Sequence, residues 1–310
     1  MKIENLSIGI VCGGFSNERE ISLRGAQSIH QTLIAKNINS RLIDIRDKYA
    51  MHDKKMYDGI DFALVMIHGK GGEDGEVQEF LSSLNIKFSG SAISGLKYSY
   101  DKVLTKQIWR ENKINTPQYV SNIFDWSDLP DFLKKTSKLV IKPSKEGSSL
   151  GVSIIKNNSE NFSKAIKHAK KFEGTPIIEE FIPGRELTIS VIGNLICDPI
   201  EIEAQEEFYN FEAKYNRTDT SYSFPIFAED KLAKLKKLSK NAFDLLGCDK
   251  WGRVDLIEYE DKFYFIEVNT VPGMTETSLV PKSAEKEGLN FFELIKKIII
   301  DSIDNWVLLT

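Results

Sequence analysis

The chain has 310 residues, of which 41% are apolar and 28% are charged, and its formal net charge at pH 7 is −4. A chain of this size can bury the cores of two or three domains, and its mild acidic balance argues against a nucleic-acid-binding surface. Its three cysteines are far apart, its N-terminus carries an early acidic residue and its apolar runs are short, so we predict no disulfide, signal peptide or membrane span. We therefore expect a cytoplasmic protein that has neither a nucleic acid nor a membrane as its partner.

The first block of the chain, residues 1–97, alternates apolar runs with amphipathic stretches. Strands are predicted at residues 6–11, 41–45 and 62–67, and helices at residues 18–35 and 76–84. Asn17 and Glu20 have the spacing of a capping box, which predicts the start of the first helix. This alternation indicates a parallel sheet covered by helices. Two glycine-rich turns, residues 12–14 and 68–75, follow its strands at the sheet edge where ligands bind in such folds.

The second block, residues 98–184, contains a glycine–serine loop between two strands. A helix is predicted at residues 101–112, and strands at residues 138–143, 152–155 and 176–182. Lys142 ends the first of these strands, and the backbone N–H groups of the loop that follows, residues 144–151, can hold a phosphate. The same segment can equally be an ordinary turn beside a solvated lysine. No P-loop occurs, and the dinucleotide fingerprint is incomplete because position 74 is Asp instead of Gly.

The third block, residues 185–310, is predicted to contain a strand, a long loop, a helix, a hairpin and a final helix. The strand is predicted at residues 186–192, the loop at residues 206–225 and the helix at residues 231–246. The hairpin strands are predicted at residues 253–259 and 263–269, and the final helix ends near residue 303. The loop is polar and aromatic, and a loop of this length in a compact domain is usually functional. We expect it and residues 147–150 to be the least ordered internal segments without nucleotide.

The hairpin places polar side chains on one face of two strands. Arg253 and Asp255 alternate on the first strand, as do Glu267 and Asn269 on the second. A three-residue loop, residues 260–262, would place Asp255 opposite Glu267 and Arg253 opposite Asn269. Two carboxylates and an amide oxygen form an all-oxygen site that suits Mg²⁺. From these residues alone, a solvated strand face with Arg253 paired to an acid explains the pattern equally well.

Seven segments, in the same order along the chain, resemble motifs of the D-alanine–D-alanine ligases, which belong to the ATP-grasp superfamily. They are residues 13–23, 68–75, 142–151, 211–215, 251–255, 267–275 and 278–281. Phe15 and Phe211 depart from the usual pattern, at positions that carry no charge needed for the chemistry. The resemblance spans nearly the whole chain.

This resemblance implies an α/β chain (with α+β lobes) that has the ATP-grasp fold and an N-terminal Rossmann-like parallel-sheet domain. The implied domains are residues 1–97 for the Rossmann-like substrate domain and residues 98–184 for the central ATP-grasp lobe. Residues 185–310 would form the C-terminal ATP-grasp lobe, with the metal site and an omega-type loop.

The resemblance also implies an enzyme that uses ATP, with two Mg²⁺ ions or Mn²⁺, to join two D-alanines through an acyl phosphate for peptidoglycan synthesis. A homodimer is expected on the same ground. One alternative is a ligase whose second substrate is D-lactate or D-serine. Another is a non-catalytic nucleotide-binding regulator, which the intact set of Arg253, Asp255, Glu267 and Asn269 argues against. A Rossmann oxidoreductase is disfavoured because the glycine fingerprint is incomplete.

Matching the family's motifs residue by residue implies a nucleotide and metal site. The metal ligands would be Asp255, Glu267 and Asn269, and Glu267 would bridge both ions. Phosphates would be held by Lys102, Lys142, Lys214 and the lid that contains Ser148, while adenine and ribose would contact Glu179, Glu180, Phe181, Ile182 and Glu186. Arg253 suits the transferred phosphoryl group and the tetrahedral oxyanion because it can donate two parallel hydrogen bonds.

The same matching implies the substrate contacts. Glu18 would bind the ammonium of the first alanine and His68 would lie near its carboxylate. Ser278 and the Leu279 amide would hold the carboxylate of the second alanine. Ser148 and Tyr215 would hydrogen-bond with Glu18 and latch the site shut. Without the resemblance, Glu18 is only an acidic residue at a helix N-terminus, where its charge would stabilise the helix by about 0.3–1 kcal/mol.

Overall fold

The computed structural model of the chain describes residues 2–203 and 221–304. Of the long loop predicted at residues 206–225, only residues 221–225 belong to this part. The expected low order of that loop, and the positions of Phe211, Lys214 and Tyr215, therefore lie outside the described residues.

The first block forms a parallel sheet of four strands, as its alternating pattern predicted. The strands are β1 (Ile8–Gly13), β2 (Ser40–Ile45), β3 (Phe62–Val65) and β4 (Lys87–Phe88), in the order β2-β1-β3-β4. The helices are α1 (Arg19–Ala35), α2 (Lys48–Met51), α3 (Glu76–Ser83) and α4 (Ile93–Tyr100). Every residue of β1 and β3 is buried, as expected for central strands of a sheet covered on both faces.

The capping box predicted at the start of α1 does not form. Glu18 is the N-cap residue of this helix, and its side chain makes no capping hydrogen bond. The turn before it passes through Gly13 and Gly14, whose φ angles of 84° and 83° favour glycine. The helix therefore begins at Arg19, one residue later than the Asn17 spacing predicts.

The second block forms an antiparallel sheet of four strands. The strands are β5 (Tyr119–Ser121), β6 (Lys138–Pro143), β7 (Ser153–Lys156) and β8 (Pro176–Glu180), in the order β5-β8-β6-β7. The helices are α5 (Lys102–Glu111), α6 (Asp131–Lys134) and α7 (Ser159–Ala169). The glycine–serine loop connects β6 to β7, as predicted. Residue 97, the end of the proposed first domain, lies within α4.

The third block forms a larger antiparallel sheet around the predicted hairpin. Its strands are β9 (Arg185–Ile192), β10 (Leu195–Ile196), β11 (Ile200–Glu203), β12 (Ser221–Ser223), β13 (Trp251–Tyr259) and β14 (Lys262–Asn269). The main order is β12-β11-β9-β13-β14, and β10 pairs with β9. The helices are α8 (Glu229–Asp244), α9 (Leu279–Lys286) and α10 (Phe291–Asp304).

The predicted hairpin register at its polar end is confirmed, but the predicted turn length is wrong. Asp255 does pair with Glu267, and Arg253 with Asn269. The turn itself has two residues instead of three, since Tyr259 pairs with Lys262. The register then shifts between positions 255 and 256, where the second strand contains an extra residue. This β-bulge compensates for the shorter turn.

The last helix, α10, packs against the first block. Ile295, Ile298 and Ile299 of α10 share a buried cluster with Ile8 and Ile10 of β1. The N-terminal sheet is thereby packed against the C-terminal part of the chain through apolar burial. In the part of the chain that the structure describes, none of the helices combines the length and apolar character needed to cross a bilayer.

Candidate active site

Two cavities meet where the three blocks come together. One is mainly polar and has a volume of about 190 Å³, and the other is mainly apolar and has a volume of about 170 Å³. Lys102, Glu146 and Glu267 line both of them. The two cavities therefore share a wall that carries both signs of charge.

The polar cavity collects the residues expected to hold the amino acids and the oxyanion. Besides the shared wall, its lining includes Glu18, Ser148, Arg253, Asn269, Ser278 and Leu279. Ser278 is the N-cap of α9, and Leu279 is its first residue. The N–H groups in the first turn of a helix have no partner within the helix, so they are available to an anion.

Glu18 is held at the junction of two loops from different blocks. Its carboxylate accepts a hydrogen bond from the Ser148 hydroxyl, 130 residues away in the chain. A Cβ atom added to Gly69 would lie 3.2 Å from Oε2 of Glu18, and one added to Gly147 would lie 3.1 Å from it. Both loops therefore approach the carboxylate closely because they carry glycine there. Of the predicted Glu18–Ser148–Tyr215 latch, the first two members are in contact.

The apolar cavity collects the residues expected to hold the nucleotide. Besides the shared wall, its lining includes Lys142, Glu179, Glu180, Phe181, Ile182, Glu186 and Asp255. Apolar side chains, Val140, Ile154, Leu256 and Ile266 among them, complete it. A mainly apolar cavity with a few charged groups is a common form of small-molecule site. Ser148 lies on the polar side, and its neighbour Ser149 lines this cavity instead.

The lysines of the site are held by acids. Nζ of Lys102 lies 3.2 Å from Oε2 of Glu267 and donates a hydrogen bond of 2.5 Å to the Glu146 carbonyl. Nζ of Lys142 lies 3.0 Å from Oε2 of Glu179. Both lysine side chains are less than a tenth exposed, so their charges are held in place.

Arg253 forms a two-pronged ion pair with Asp255. Its Nε donates to Oδ1 at 2.8 Å and its Nη2 to Oδ2 at 2.7 Å. The Thr188 hydroxyl also donates to Oδ1, at 2.6 Å. The pairing agrees with the plainer of the two interpretations of the hairpin, but the face is not solvated, because Asp255 is buried.

The donor atoms of the proposed metal ligands are of the kind that a hard cation prefers. Two carboxylates and one amide oxygen stand on facing positions of β13 and β14. The Asn269 side-chain oxygen accepts the Val271 N–H at 3.1 Å, which leaves it a second lone pair. Among the residues that the structure describes, no group of three or more His, Cys, Asp or Glu side chains is arranged to hold a metal.

His68 is buried beside the polar cavity without lining it. Its Nδ1 donates a 2.6 Å hydrogen bond to the Val271 carbonyl, and its Nε2 has no hydrogen-bond partner among the described residues. Burial lowers the pKa of His68, although the nearby Glu18 carboxylate opposes this. The lowered pKa favours the neutral imidazole, in which Nδ1 carries the proton and Nε2 has a lone pair. Nε2 can therefore donate a hydrogen bond to a carboxylate only when His68 is protonated.

Sequence reasoning missed several residues of the site. Glu73 and Tyr100 line the polar cavity, Ile266 lines the apolar one, and Lys106 lies behind Glu179. Glu73 lies within the glycine-rich segment 68–75, so its acidic character in a loop at the sheet edge was a usable signal. Ile266 is the extra residue of the bulge, and this position could not be read without the true turn length.

The chain is similar to known proteins along nearly its whole length. Residues 99–300 match the family described as the D-ala D-ala ligase C-terminus. The D-alanine–D-alanine ligases of Carboxydothermus hydrogenoformans and Buchnera aphidicola are each 37% identical to it, over 95% and 94% of this chain and 97% of each relative.

Solved structures agree with these relatives. The crystal structure of the D-alanine–D-alanine ligase from Bacillus anthracis complexed with ATP has a TM-score of 0.83 at 30% identity, covering 96% of this chain and 98% of that one. The ligase from Coxiella burnetii has a TM-score of 0.78 at 25% identity, covering 97% of this chain and 96% of that one. Because the matches extend over nearly the whole chain and agree in fold, this chain belongs to the D-alanine–D-alanine ligase family and has the ATP-grasp fold.

Proposed function

We propose that the chain joins two D-alanines at the junction of its two cavities, with the nucleotide in the apolar cavity and the amino acids in the polar one. The observation that supports this placement is the shared wall of Lys102, Glu146 and Glu267. A phosphoryl group that leaves the nucleotide for a carboxylate must cross from one compartment to the other. Charged groups are needed at that crossing.

The proposed chemistry has two steps. A carboxylate oxygen of the first D-alanine attacks the γ-phosphorus of ATP, and ADP leaves, which gives an acyl phosphate. The amine of the second D-alanine then attacks the acyl carbon, loses a proton, and inorganic phosphate leaves as the peptide bond forms. Because the acyl phosphate reacts with water, closure of the two loops over the Glu18 carboxylate would protect it.

Individual residues take roles in these steps under the proposal. Glu18 binds the ammonium of the first alanine, and the N-terminus of α9 binds the carboxylate of the second. Arg253 stabilises the oxyanion, and to do so it must give up part of its pairing with Asp255. Lys102 and Lys142 orient the phosphates, and Lys214 from the loop outside the described residues joins them.

Divalent cations complete the proposed site. Asp255, Glu267 and Asn269 would hold two Mg²⁺ ions, or Mn²⁺, which neutralise charge between the β- and γ-phosphates. With cations present, Asp255 and Glu267 would share their negative charge between the cations and their basic partners Arg253 and Lys102. Those two basic side chains would then be free to turn toward the substrates.

The cellular setting of the enzyme is part of the proposal. A cytoplasmic homodimer that supplies D-alanyl-D-alanine for peptidoglycan synthesis is expected from the family. Sedimentation of the purified protein measures the dimer directly, and a monomer at micromolar concentration would contradict that part.

The function is tested by phosphate release from ATP with each D-amino acid offered in turn, and by identifying the product. We expect release that depends on D-alanine and a divalent cation, with the dipeptide as product. Glu267→Gln should lose at least about a hundredfold in turnover, because the proposed metal ligand loses its negative charge. Glu160→Gln, an exposed acid on α7, is the matched control. Ester formation with D-lactate as the main product would contradict the substrate assignment.

A further inference from the structure

Lys106 is a fully buried lysine that lies next to the apolar cavity but lines neither cavity. It stands one helical turn after Lys102 on α5, so the two side chains leave the same face of that helix. The exposed fraction of its side chain is 0%, and lysines are rarely buried to this extent unless they are paired. The proposed chemistry gives it no role.

The partner of Lys106 is an acid of the nucleotide cavity. Its Nζ lies 3.1 Å from Oε1 of Glu179 and donates a 2.5 Å hydrogen bond to the Thr116 hydroxyl. The other carboxylate oxygen of Glu179 lies 3.0 Å from Nζ of Lys142. One buried carboxylate is therefore shared by two ammonium groups, one that lines the cavity and one behind it.

The charges of this group do not cancel. With both lysines protonated, the Lys106–Glu179–Lys142 cluster carries one net positive charge beside the cavity. Without Lys106, the remaining Lys142–Glu179 pair would be neutral and would attract an anion only weakly. At short range and in a partly buried setting, one charge changes anion affinity strongly.

We propose that Lys106 is a positioning residue for nucleotide binding, which holds Glu179 from behind and so keeps the charge of Lys142 available to the phosphates. The inference rests on the proposed nucleotide site. The surroundings of Lys106 are consistent with a charged side chain. The centre of the Tyr119 ring lies 5.8 Å from Nζ, and Arg110 lies over the same ring. The negative charge of Glu267 also favours the protonated form of Lys106.

Proton binding in the cluster follows the same geometry. Burial alone would raise the pKa of the Glu179 carboxyl, but Lys106 and Lys142 outweigh it and hold that pKa below its ordinary value. Burial lowers the pKa of Lys106 to about 8, although Glu179 opposes this. As pH rises through that value, Lys106 loses its proton and the cluster becomes neutral.

The experiment compares Lys106→Met, which keeps the length of the side chain, with Lys106→Arg, which keeps the charge. ATP dissociation constants, KM for each substrate and kcat are measured for both, together with thermal unfolding. We expect Lys106→Met to weaken ATP binding about tenfold while KM for D-alanine changes less than about twofold. Lys106→Arg should recover most of the affinity. Lys164→Met, an exposed lysine on α7, should behave as the wild type.

The outcomes separate this inference from the proposed site. If Lys142→Met weakens ATP binding and a folded Lys106→Met does not, Lys106 has no positioning role. If neither variant changes ATP binding, the nucleotide site itself is wrong, and the inference with it. Should Lys106→Met fail to fold, the wild type provides the test, because its ATP affinity should fall more steeply than that of Lys106→Arg as pH rises through about 8. A level profile in the wild type would overturn the proposal.

Discussion

At the scale of single residues, the carboxyl group of Glu73 shows how burial changes the chemistry of a side chain in the polar cavity. Burial and, to a smaller extent, the charge of Glu18 together raise the pKa of Glu73 from 4.5 to about 8, although Lys102 opposes the change. Without ligands, Glu73 is therefore mostly protonated at neutral pH. This reduces the repulsion among the acids that line the cavity.

The raised pKa of Glu73 predicts a stability effect with a definite sign. Between pH 4.5 and about 8, the folded protein holds a proton that the unfolded chain has released, so stability falls as pH rises through this range. Glu73→Gln removes this loss and should raise the free energy of unfolding at high pH by roughly 1–3 kcal/mol, and little at low pH. Denaturant unfolding at pH 4.5, 7 and 9 without metal measures this. Parallel pH profiles for both proteins would show that the raised pKa is wrong.

Tyr215 carries a prediction about the choice of nucleophile that rests on the sequence, since it lies outside the described residues. A hydrogen bond from its hydroxyl toward Ser148 and Glu18 would favour the amine over the hydroxyl of D-lactate. Such a bond is worth about 1 kcal/mol, or roughly a fivefold change in a rate ratio. Tyr215→Phe should keep the fold and ATP binding, and it should gain ester formation. Competition between D-alanine and D-lactate measures the ratio of ester to dipeptide in both proteins. If Tyr215→Phe leaves this ratio unchanged, Tyr215 does not select the nucleophile.

At the scale of elements, the loop between β6 and β7 is shaped around the Glu18 carboxylate. Ser148 and Ser149 have φ angles of 49° and 61°, in the left-handed region, so the loop turns sharply as it passes the cavity. This bend lets the Ser148 hydroxyl reach Glu18 while Gly147 passes close to the same carboxylate.

Gly147→Ala tests how closely this loop must approach. The added Cβ atom would lie 3.1 Å from Oε2 of Glu18, so the Glu18 carboxylate must give way by a few tenths of an ångström. We expect a roughly five- to tenfold rise in KM for the first D-alanine, equivalent to about 1–1.4 kcal/mol. Lys156→Ala, at the exposed end of β7, serves as the control. Unchanged kinetics for Gly147→Ala would mean that this approach is not needed for binding.

The hairpin of β13 and β14 shows why element boundaries are harder to predict than faces. Alternation placed Asp255 and Glu267 on one face, and the observed pairing agrees. The turn length could not be read from the sequence, because Glu260 and Asp261 both adopt positive φ angles, at 47° and 60°, although neither is glycine. The bulge at Ile266 restores the pairing and places an unpredicted apolar side chain in the wall of the apolar cavity.

At the scale of the whole molecule, the Glu18–Ser148 hydrogen bond joins the N-terminal block to the central lobe across the cavity. A double-mutant cycle of Glu18→Gln and Ser148→Ala should therefore be non-additive in the affinity for the first D-alanine. We expect a coupling energy of about 1–2 kcal/mol, because the bond has a charged acceptor. The cycle is measured by titrating D-alanine in the presence of a non-hydrolysable ATP analogue. Simple additivity would show that the contact does not contribute to closure on the substrate.

The parallel sheet, the glycine–serine loop and the order of the motifs could be predicted from the sequence because each depends on local patterns. Period-two and helical apolar repeats are set by neighbouring residues, and glycine marks turns wherever they occur. The D-alanine–D-alanine ligase family was identified from motifs of the same local kind. The domain boundaries and the roles of individual site residues remain predictions.

Only the tertiary structure decided which charges meet. The pairing of Lys102 with Glu267, and of Lys106 and Lys142 with one carboxylate, depends on how α5 and the sheets pack together. Residues far apart in the chain are brought together by burial of their apolar neighbours, and sequence spacing carries no record of that contact. The types of residue in the site were therefore determined locally, whereas their partners and protonation were determined by the packed fold.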